Sequence, residues 1–291
     1  MMSITPQQFL ADLDSLVSLP DICFQVNQLA DNPTSNAKNI ADVVSQDPNL
    51  VAQVLRIANS PYYGFPSRVD TIMRAISVIG IEDLRNLVLS TSVINAFSAQ
   101  KNELVDLKKY WTHSLFAGFA ARQLCRLTTT KVLDKERFFV AGLLHDIGQL
   151  VLSLKAPEIM KVIIHRSKQE REPFYKVEEV VFGIGHCELG AELLKKWQLP
   201  DSLQAVAAFH HDPEKSKDYA LEVSVIHIAN ALAHKVNISG LGNREQLNIS
   251  EYAWKITGLT EEKAVLAVDK AKAEFVKTLP VFMSQITSSA V

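Results

Sequence analysis

Apolar residues recur along this chain at intervals of three and four, and rarely alternate at intervals of two. Val51, Val54, Leu55 and Ala58 mark one such face, and Leu84, Leu87, Val88 and Thr91 another; each is the stripe that a helix turns toward a core. Asp47-Pro48, the run Asn59-Ser60-Pro61-Tyr62-Tyr63-Gly64-Phe65-Pro66 and Gly80 interrupt the pattern. Proline removes a backbone donor and glycine permits positive φ, so these positions punctuate helices. Four or five short helices are expected in the first hundred residues.

The polar stretch Ser98-Ala99-Gln100-Lys101-Asn102-Glu103 is the best candidate boundary after that block. Beyond it, Phe138 to Leu144 is apolar on all sides, which predicts a central, buried helix with His145-Asp146 at its end. Pro200 suits a first helical position, and Asp212-Pro213 stops the helix that carries His210-His211. A further helix is expected from about Leu221 to Val236. The loop Ser239-Gly240-Leu241-Gly242-Asn243 then separates a C-terminal helical pair with an apolar stripe at Ala264, Ala267, Val268, Ala271 and Phe275. The fold class read from these patterns is all-α. Its segments are a helical block over residues 1–105, a histidine-bearing core over 106–240 and a helical extension over 241–291.

Composition narrows the function classes more than the fold. With 30 basic against 32 acidic residues the formal charge is −2, which gives the chain as a whole no electrostatic footprint for nucleic acid or an anionic membrane. The three cysteines, Cys23, Cys125 and Cys187, are far apart and not in metal-type spacing, which favours reduced thiols. The N-terminus lacks a basic region followed by an apolar run, and no stretch approaches the roughly 18 apolar residues that span a bilayer. A cytoplasmic location is expected.

The candidate chemistry lies in five helical segments, which carry His113, His145-Asp146, His186, His210-His211 and Asn230. Metal sites in helical proteins are built from side chains that project inward from several helices, and they need neutral imidazole or carboxylate donors. His113 is placed on an amphipathic helix and His186 at the start of another. Gly190, one turn later, would admit a second backbone closely. Nitrogen-rich ligation with one or two oxygens suits Fe, Mn, Zn or Ni. A single histidine taken alone is more often a satisfied half-buried polar group. His165, His227 and His234 fall in that class, with His227 one turn before Asn230.

Leu143-Leu144-His145-Asp146-Ile147-Gly148 is similar to the motif that names the HD superfamily of metal-dependent phosphohydrolases, and Trp111-x-His113-Ser114 and His186-x-x-x-Gly190 fit it too. Asp47-Pro48-Asn49-Leu50, the segment from Val54 to Gly64 and Ala75-Ile76-Ser77-Val78-Ile79-Gly80 resemble the HDOD family, the HD-related output domain of bacterial signalling proteins. The likeness runs from about Leu19 to Val236, and it makes residues 106–240 an HD-type helical core. It implies that His113, His145, Asp146 and Asn230 serve one metal, with aspartate expected at the last position. It also implies that Asp146, His186, His210 and His211 serve a second, with Asp146 bridging. An amide brings no negative charge, so one divalent transition ion is expected rather than two. Gln149 stands where hydrolytic relatives often carry lysine. The glycine and tyrosine motifs that follow the doublet in cyclic di-nucleotide phosphodiesterases are absent.

These features favour a regulatory output module whose partners are signalling proteins and whose input comes from elsewhere, since no sensor or receiver segment is visible. The alternative is a metal-dependent phosphohydrolase acting on a phosphorylated small molecule or nucleotide, with catalysis resting on Asp146 and His145. Arg122, Lys195 and Lys196 are candidate phosphate contacts that solvated helix faces explain better. Residues 40 to 60 could form two helices joined by a turn, but Arg56 alone is basic on the second, so nucleic-acid binding is disfavoured.

Overall fold

The computed structural model describes residues 6–11, 18–98, 106–131, 134–236, 238 and 248–288, and no strand occurs among them. They fall into two compact units. After helix α1 (Pro6–Ala11), which belongs with the larger unit, the smaller unit takes α2 (Asp21–Asp31), α3 (Ala37–Val44), α4 (Pro48–Ala58), α5 (Ile72–Ile79) and α6 (Ile81–Ser98). The larger unit continues with α7 (Leu107–Cys125), α8 (Glu136–Leu144), α9 (Ile147–Lys155), α10 (Pro157–Glu170), α11 (Phe174–Phe182), α12 (His186–Lys196), α13 (Asp201–Phe209), α14 (Ala220–Lys235) and α15 (Glu251–Thr257). The last helix, α16 (Glu261–Ser288), contributes to the larger unit up to Lys272 and to the smaller one from Ala273.

In the smaller unit the punctuation residues do what their chemistry suggests. The Asp47 carboxylate accepts from the Asn49 and Leu50 amides and starts α4, with Pro48 in its first turn. The Asn59 side chain pairs with both backbone groups of Val69, at 2.7 and 2.8 Å, and closes the intervening loop. Six helices, not four or five, lie before residue 99 among the described residues. One of them is long, because nothing breaks the 18 residues of α6 after Gly80.

The larger unit is built around α7, α8, α9, α12 and α14. Helix α7 is not amphipathic: from Tyr110 to Cys125 every side chain except Thr112 is buried, and His113 therefore projects from a core helix. Helix α8 is buried as its composition predicts, and His145-Asp146 forms the joint to α9. The stretch Glu136–Lys155 is, against expectation, long and apolar enough to cross a bilayer by composition, but it is two helices broken at that joint, and nearly all of it is buried inside the protein. Helix α13 begins at Asp201, with Pro200 as its cap, and ends one residue before His210. Of the C-terminal stripe, Ala264, Ala267, Val268, Ala271 and Phe275 are all buried on α16. The expected boundary at 98–103 falls largely, and the loop at 239–243 entirely, outside the described residues.

Two glycine contacts set the helix spacing. A Cβ at Gly142 on α8 would lie 2.6 Å from the Gly118 Cα of α7. A Cβ at Gly148 on α9 would collide with the His186 carbonyl oxygen and lie 2.7 Å from the Gly190 amide of α12. The backbone that Gly190 admits is thus that of Gly148, and this contact brings the α8–α9 joint against the start of α12. Gly148→Ala is expected to cost about 1–3 kcal/mol or more by overpacking. Gly190→Ala, whose Cβ would have 3.3–3.5 Å to its neighbours, should cost less. Urea denaturation of the two variants checks the order.

Candidate metal centre

Asp146 is 4% exposed and stands at the point where α7, α8, α12 and α13 converge. Its two oxygens face different groups. Oδ2 is 3.2 Å from His145 Nε2 and 3.7 Å from His113 Nε2, while Oδ1 is 3.3 Å from both His186 Nε2 and His210 Nε2. The arrangement is that of a carboxylate shared between two halves of one centre. The potential donor atoms of His113, His145 and Asp146 lie within 4.8 Å of one another, and so do those of His186, Cys187, His210 and His211.

The far nitrogen of each ring explains why the near one is available. His113 Nδ1–H donates to the Ile238 carbonyl at 2.7 Å, His145 Nδ1–H to the Gly142 carbonyl at 2.8 Å, and His210 Nδ1–H to the Ala207 carbonyl at 3.1 Å. His186 Nδ1–H donates to the Glu178 carboxylate at 2.6 Å. Acceptors that carry no hydrogen oblige each Nδ1 to hold one, so each Nε2 of a neutral ring is a lone pair aimed at the Asp146 carboxylate. Lone pairs facing a carboxylate repel unless a cation sits between them. His113 Nε2, His145 Nε2, Asp146 Oδ1 and Asn230 Oδ1 are buried and have no hydrogen-bond partner. Such atoms are costly to leave unpaired. The donor set therefore fits a divalent transition metal, with imidazole nitrogens and a shared carboxylate.

All seven residues singled out from the sequence are gathered in the larger unit. Asn230, on α14 and 2% exposed, presents an amide beside His113. His211 is partly exposed and stacks on Tyr175, with ring centroids 4.2 Å apart and planes 12° apart. Gln149 is buried with its Oε1 unpartnered.

Sequence reasoning missed Glu178. This residue is fully buried on α11 and its Oε2 accepts from both the backbone amide and the ring Nδ1 of His186, so it fixes the start of α12 and the ring together. Nothing in Val177-Glu178-Glu179-Val180 distinguishes it from its exposed neighbour. Cys187, set aside on spacing, joins the second half. His227 supports the centre from behind: its Nδ1–H donates to the His210 carbonyl at 2.8 Å and its Nε2 accepts from the Ser250 amide at 3.0 Å. His234 packs its ring 5.0 Å from that of His113, and His165 is exposed. Arg122 is not on a solvated face; it is 4% exposed and pairs with Glu136 at 2.9 Å. Lys195 is exposed and lies 3.8 Å from Glu192.

Burial opposes ionisation of Asp146, but the surrounding imidazoles, His145 foremost, hold its carboxyl well below the usual range. Burial also opposes protonation of the rings. It pushes His210 down to about 4, lowers His113, and with neighbouring His210 holds His211 well below its ordinary value. His186 is the exception. Burial is outweighed there by the anionic groups around the ring, Glu178 and Asp146 among them, which push it well above the ordinary histidine range, while burial pushes the Cys187 thiol up. In the metal-free protein one proton therefore stands in for part of the missing positive charge, and metal binding must displace it.

An all-helical body with histidines converging on one buried aspartate at a helix joint is the architecture that the HD-type motif implies. The chain belongs to the HDOD family: the HDOD domain model matches residues 16–213. An HDOD domain protein of Geobacter sulfurreducens shares the fold with a TM-score of 0.76 at 23% identity, over 95% of this chain and 96% of that one. A protein of Marinobacter aquaeolei VT8, provisionally named for signal transduction, gives 0.73 at 22% identity over 100% of this chain and 62% of that one. A provisionally named phosphohydrolase of Shewanella amazonensis SB2B gives 0.68 at 23% identity over 90% and 97%. An uncharacterized protein of Treponema pallidum (strain Nichols) is 26% identical over 219 residues; the match spans 75% of this chain but 42% of that relative.

Two outcomes follow for the isolated protein. His210 has a folded pKa below its unfolded one, so the unfolded chain binds more protons between pH 6.5 and about 4. Metal-free protein should lose stability as pH falls through that window, by at most roughly 3 kcal/mol from His210. His186, already protonated when folded, adds no slope there. Thermal melts across the window, with His210→Asn showing the shallower dependence, test this. Glu178→Gln should weaken metal binding by roughly 10–100-fold, read by competition with a chromogenic chelator.

Proposed function

We propose that this chain is a signal-transduction output module of the HDOD type that holds one divalent transition ion and does not turn over phosphoesters at a useful rate. The observation that carries this reading is the burial of six of the seven ligand positions, with His211 alone among them partly exposed. His113, His145, His186 and His210 are 0% exposed, Asp146 4% and Asn230 2%. Structural metal sites are closed, whereas catalytic ones keep a position open to substrate.

Charge points the same way. In the half formed by His113, His145 and Asn230, the shared Asp146 is the one anionic ligand. The half formed by His186, His210 and His211 has a buried carboxylate, Glu178, behind its first ring, which supports retention of the ion there. A bound metal would supply an activated water and a polarised phosphoryl oxygen to any hydrolysis. The chain's own residues do little to receive a phosphate. Gln149 offers a hydrogen bond without charge, and Arg122 is committed to Glu136.

The function that remains is conformational: the ion ties α7, α8, α12 and α13 into one body, and the helical surfaces meet a signalling partner in the cytoplasm. Neither a membrane nor a nucleic acid is needed for this role. The phosphohydrolase reading draws on the assembled ligand set, with Asp146 and His145 as the groups that catalysis would require.

Elemental analysis of protein purified without chelator should find about one equivalent of Fe, Mn, Zn or Ni, and Asn230→Asp should move it toward two. Hydrolysis of bis(p-nitrophenyl) phosphate by metal-loaded protein should match that of a His145→Ala, Asp146→Ala variant. A rate well above that control overturns the reading.

A further inference from the structure

Of the seven described residues whose donor atoms cluster in the two halves, Cys187 is the one that the HD-type motif does not assign. It follows His186 at the start of α12, and its Sγ lies 3.6 Å from His186 Nε2. It belongs to the group whose donor atoms lie within 4.8 Å of one another, with His186, His210 and His211. His186 Nε2 and His210 Nε2 are 3.4 Å apart, and the His211 ring centroid is 4.2 Å from that of His210. A second observation points to a ligand at the same place. Asp146 Oδ1, on a side chain only 5% exposed, lies 3.3 Å from both Nε2 atoms and has no hydrogen-bond partner.

We propose that Cys187 is a thiolate ligand of the metal held by this half of the centre, completing a donor set of three imidazole nitrogens, one sulfur and the shared Asp146 oxygen. This rests on the metal-centre reading above and specifies its chemistry. As the metal–sulfur bond forms, the thiol proton leaves to solvent, and the ligand becomes an anion. Thiolate and carboxylate together balance the charge of a divalent ion, whereas the Asn230 half offers one negative charge. The two halves are therefore unequal for two independent reasons: one has the amide of Asn230 where the resemblance implies a carboxylate, and the other has a sulfur beside its imidazoles. A soft ligand also narrows the choice of ion toward zinc or iron and away from manganese.

Cys187 is partly exposed while Cys23 and Cys125 are buried, so the three thiols are chemically separable. The test is cobalt substitution of metal-free full-length protein. Co(II) bound through a thiolate gives an intense near-ultraviolet sulfur-to-metal charge-transfer band besides its visible ligand-field bands. Wild-type protein should show both. Cys187→Ala and Cys187→Ser should keep the visible bands, lose the charge-transfer band and bind Zn(II) roughly tenfold or more weakly.

Zn(II) should also slow alkylation of Cys187 by iodoacetamide in the wild-type chain, a readout that needs no variant to fold. Visible bands without charge transfer, together with alkylation indifferent to Zn(II), overturn the thiolate assignment and leave the metal centre standing. No uptake of Co(II) or Zn(II) at all overturns both.

Discussion

A carboxylate buried among imidazoles is the constraint on which the larger unit depends. Taking the Asp146 charge out of water is costly unless it is paired, and no lysine or arginine is found pairing it among the described residues. Compensation comes instead from His113, His145, His186 and His210, and each needs a proton or a metal ion on the inner nitrogen to be attractive. The outer nitrogens are fixed by carbonyls of Gly142, Ala207 and Ile238 and by Glu178. Those acceptors belong to different elements, so tautomer, ring orientation and helix packing are set together. Gly148 matters for the same reason, because only a residue without a side chain lets α9 approach His186 closely enough.

Much of this was legible in the chain. The 3.6-residue period gave the helical class, and the apolar run from Phe138 to Leu144 announced a buried helix delivering His145-Asp146 into a core. Three of the five segments carry their ligand-type side chains at a helix boundary, at His145-Asp146, His186 and His210-His211, whereas His113 and Asn230 lie within α7 and α14. Other parts were not readable, for physical reasons. Glu178 looks like any helical glutamate next to Glu179, and only the tertiary position of α12 turns one inward. Helix α7, expected to be amphipathic, is buried nearly all round from Tyr110 onward, and Arg122 is accommodated in the core by its pairing with Glu136. Cys187 failed a spacing criterion that looks for cysteines close in sequence, whereas the donor atoms grouped with it belong to the adjacent His186 and to His210 and His211 at the end of another helix.

The two oxygens of Asp146 divide the centre, and the division has lost its symmetry. One half keeps two well-fixed imidazoles but faces the neutral amide of Asn230. The other has a carboxylate-backed imidazole in His186, a second ring in His210 held from behind by His227, and the partly exposed His211 stacked on Tyr175. Catalysis by paired metals depends on both ions clamping the attacking and leaving oxygens. Holding a single ion, as proposed, such a centre would lack that clamp and would still cross-link the helices.

Under the proposed reading, such a cross-link would matter for signalling in a way that catalysis does not require. A buried ion whose ligands come from α7, from the α8–α9 joint, from the start of α12 and from the end of α13 makes the packing of those helices depend on occupancy. In the metal-free state the proton on His186 is a weaker substitute, because one proton can bridge one pair of atoms where an ion can bridge several. Removing the ion would release the inner nitrogen of His186 from that tie, in the turn that also makes the close Gly148–Gly190 backbone contact. An output surface carried on those helices would then respond to metal supply without any substrate entering the fold.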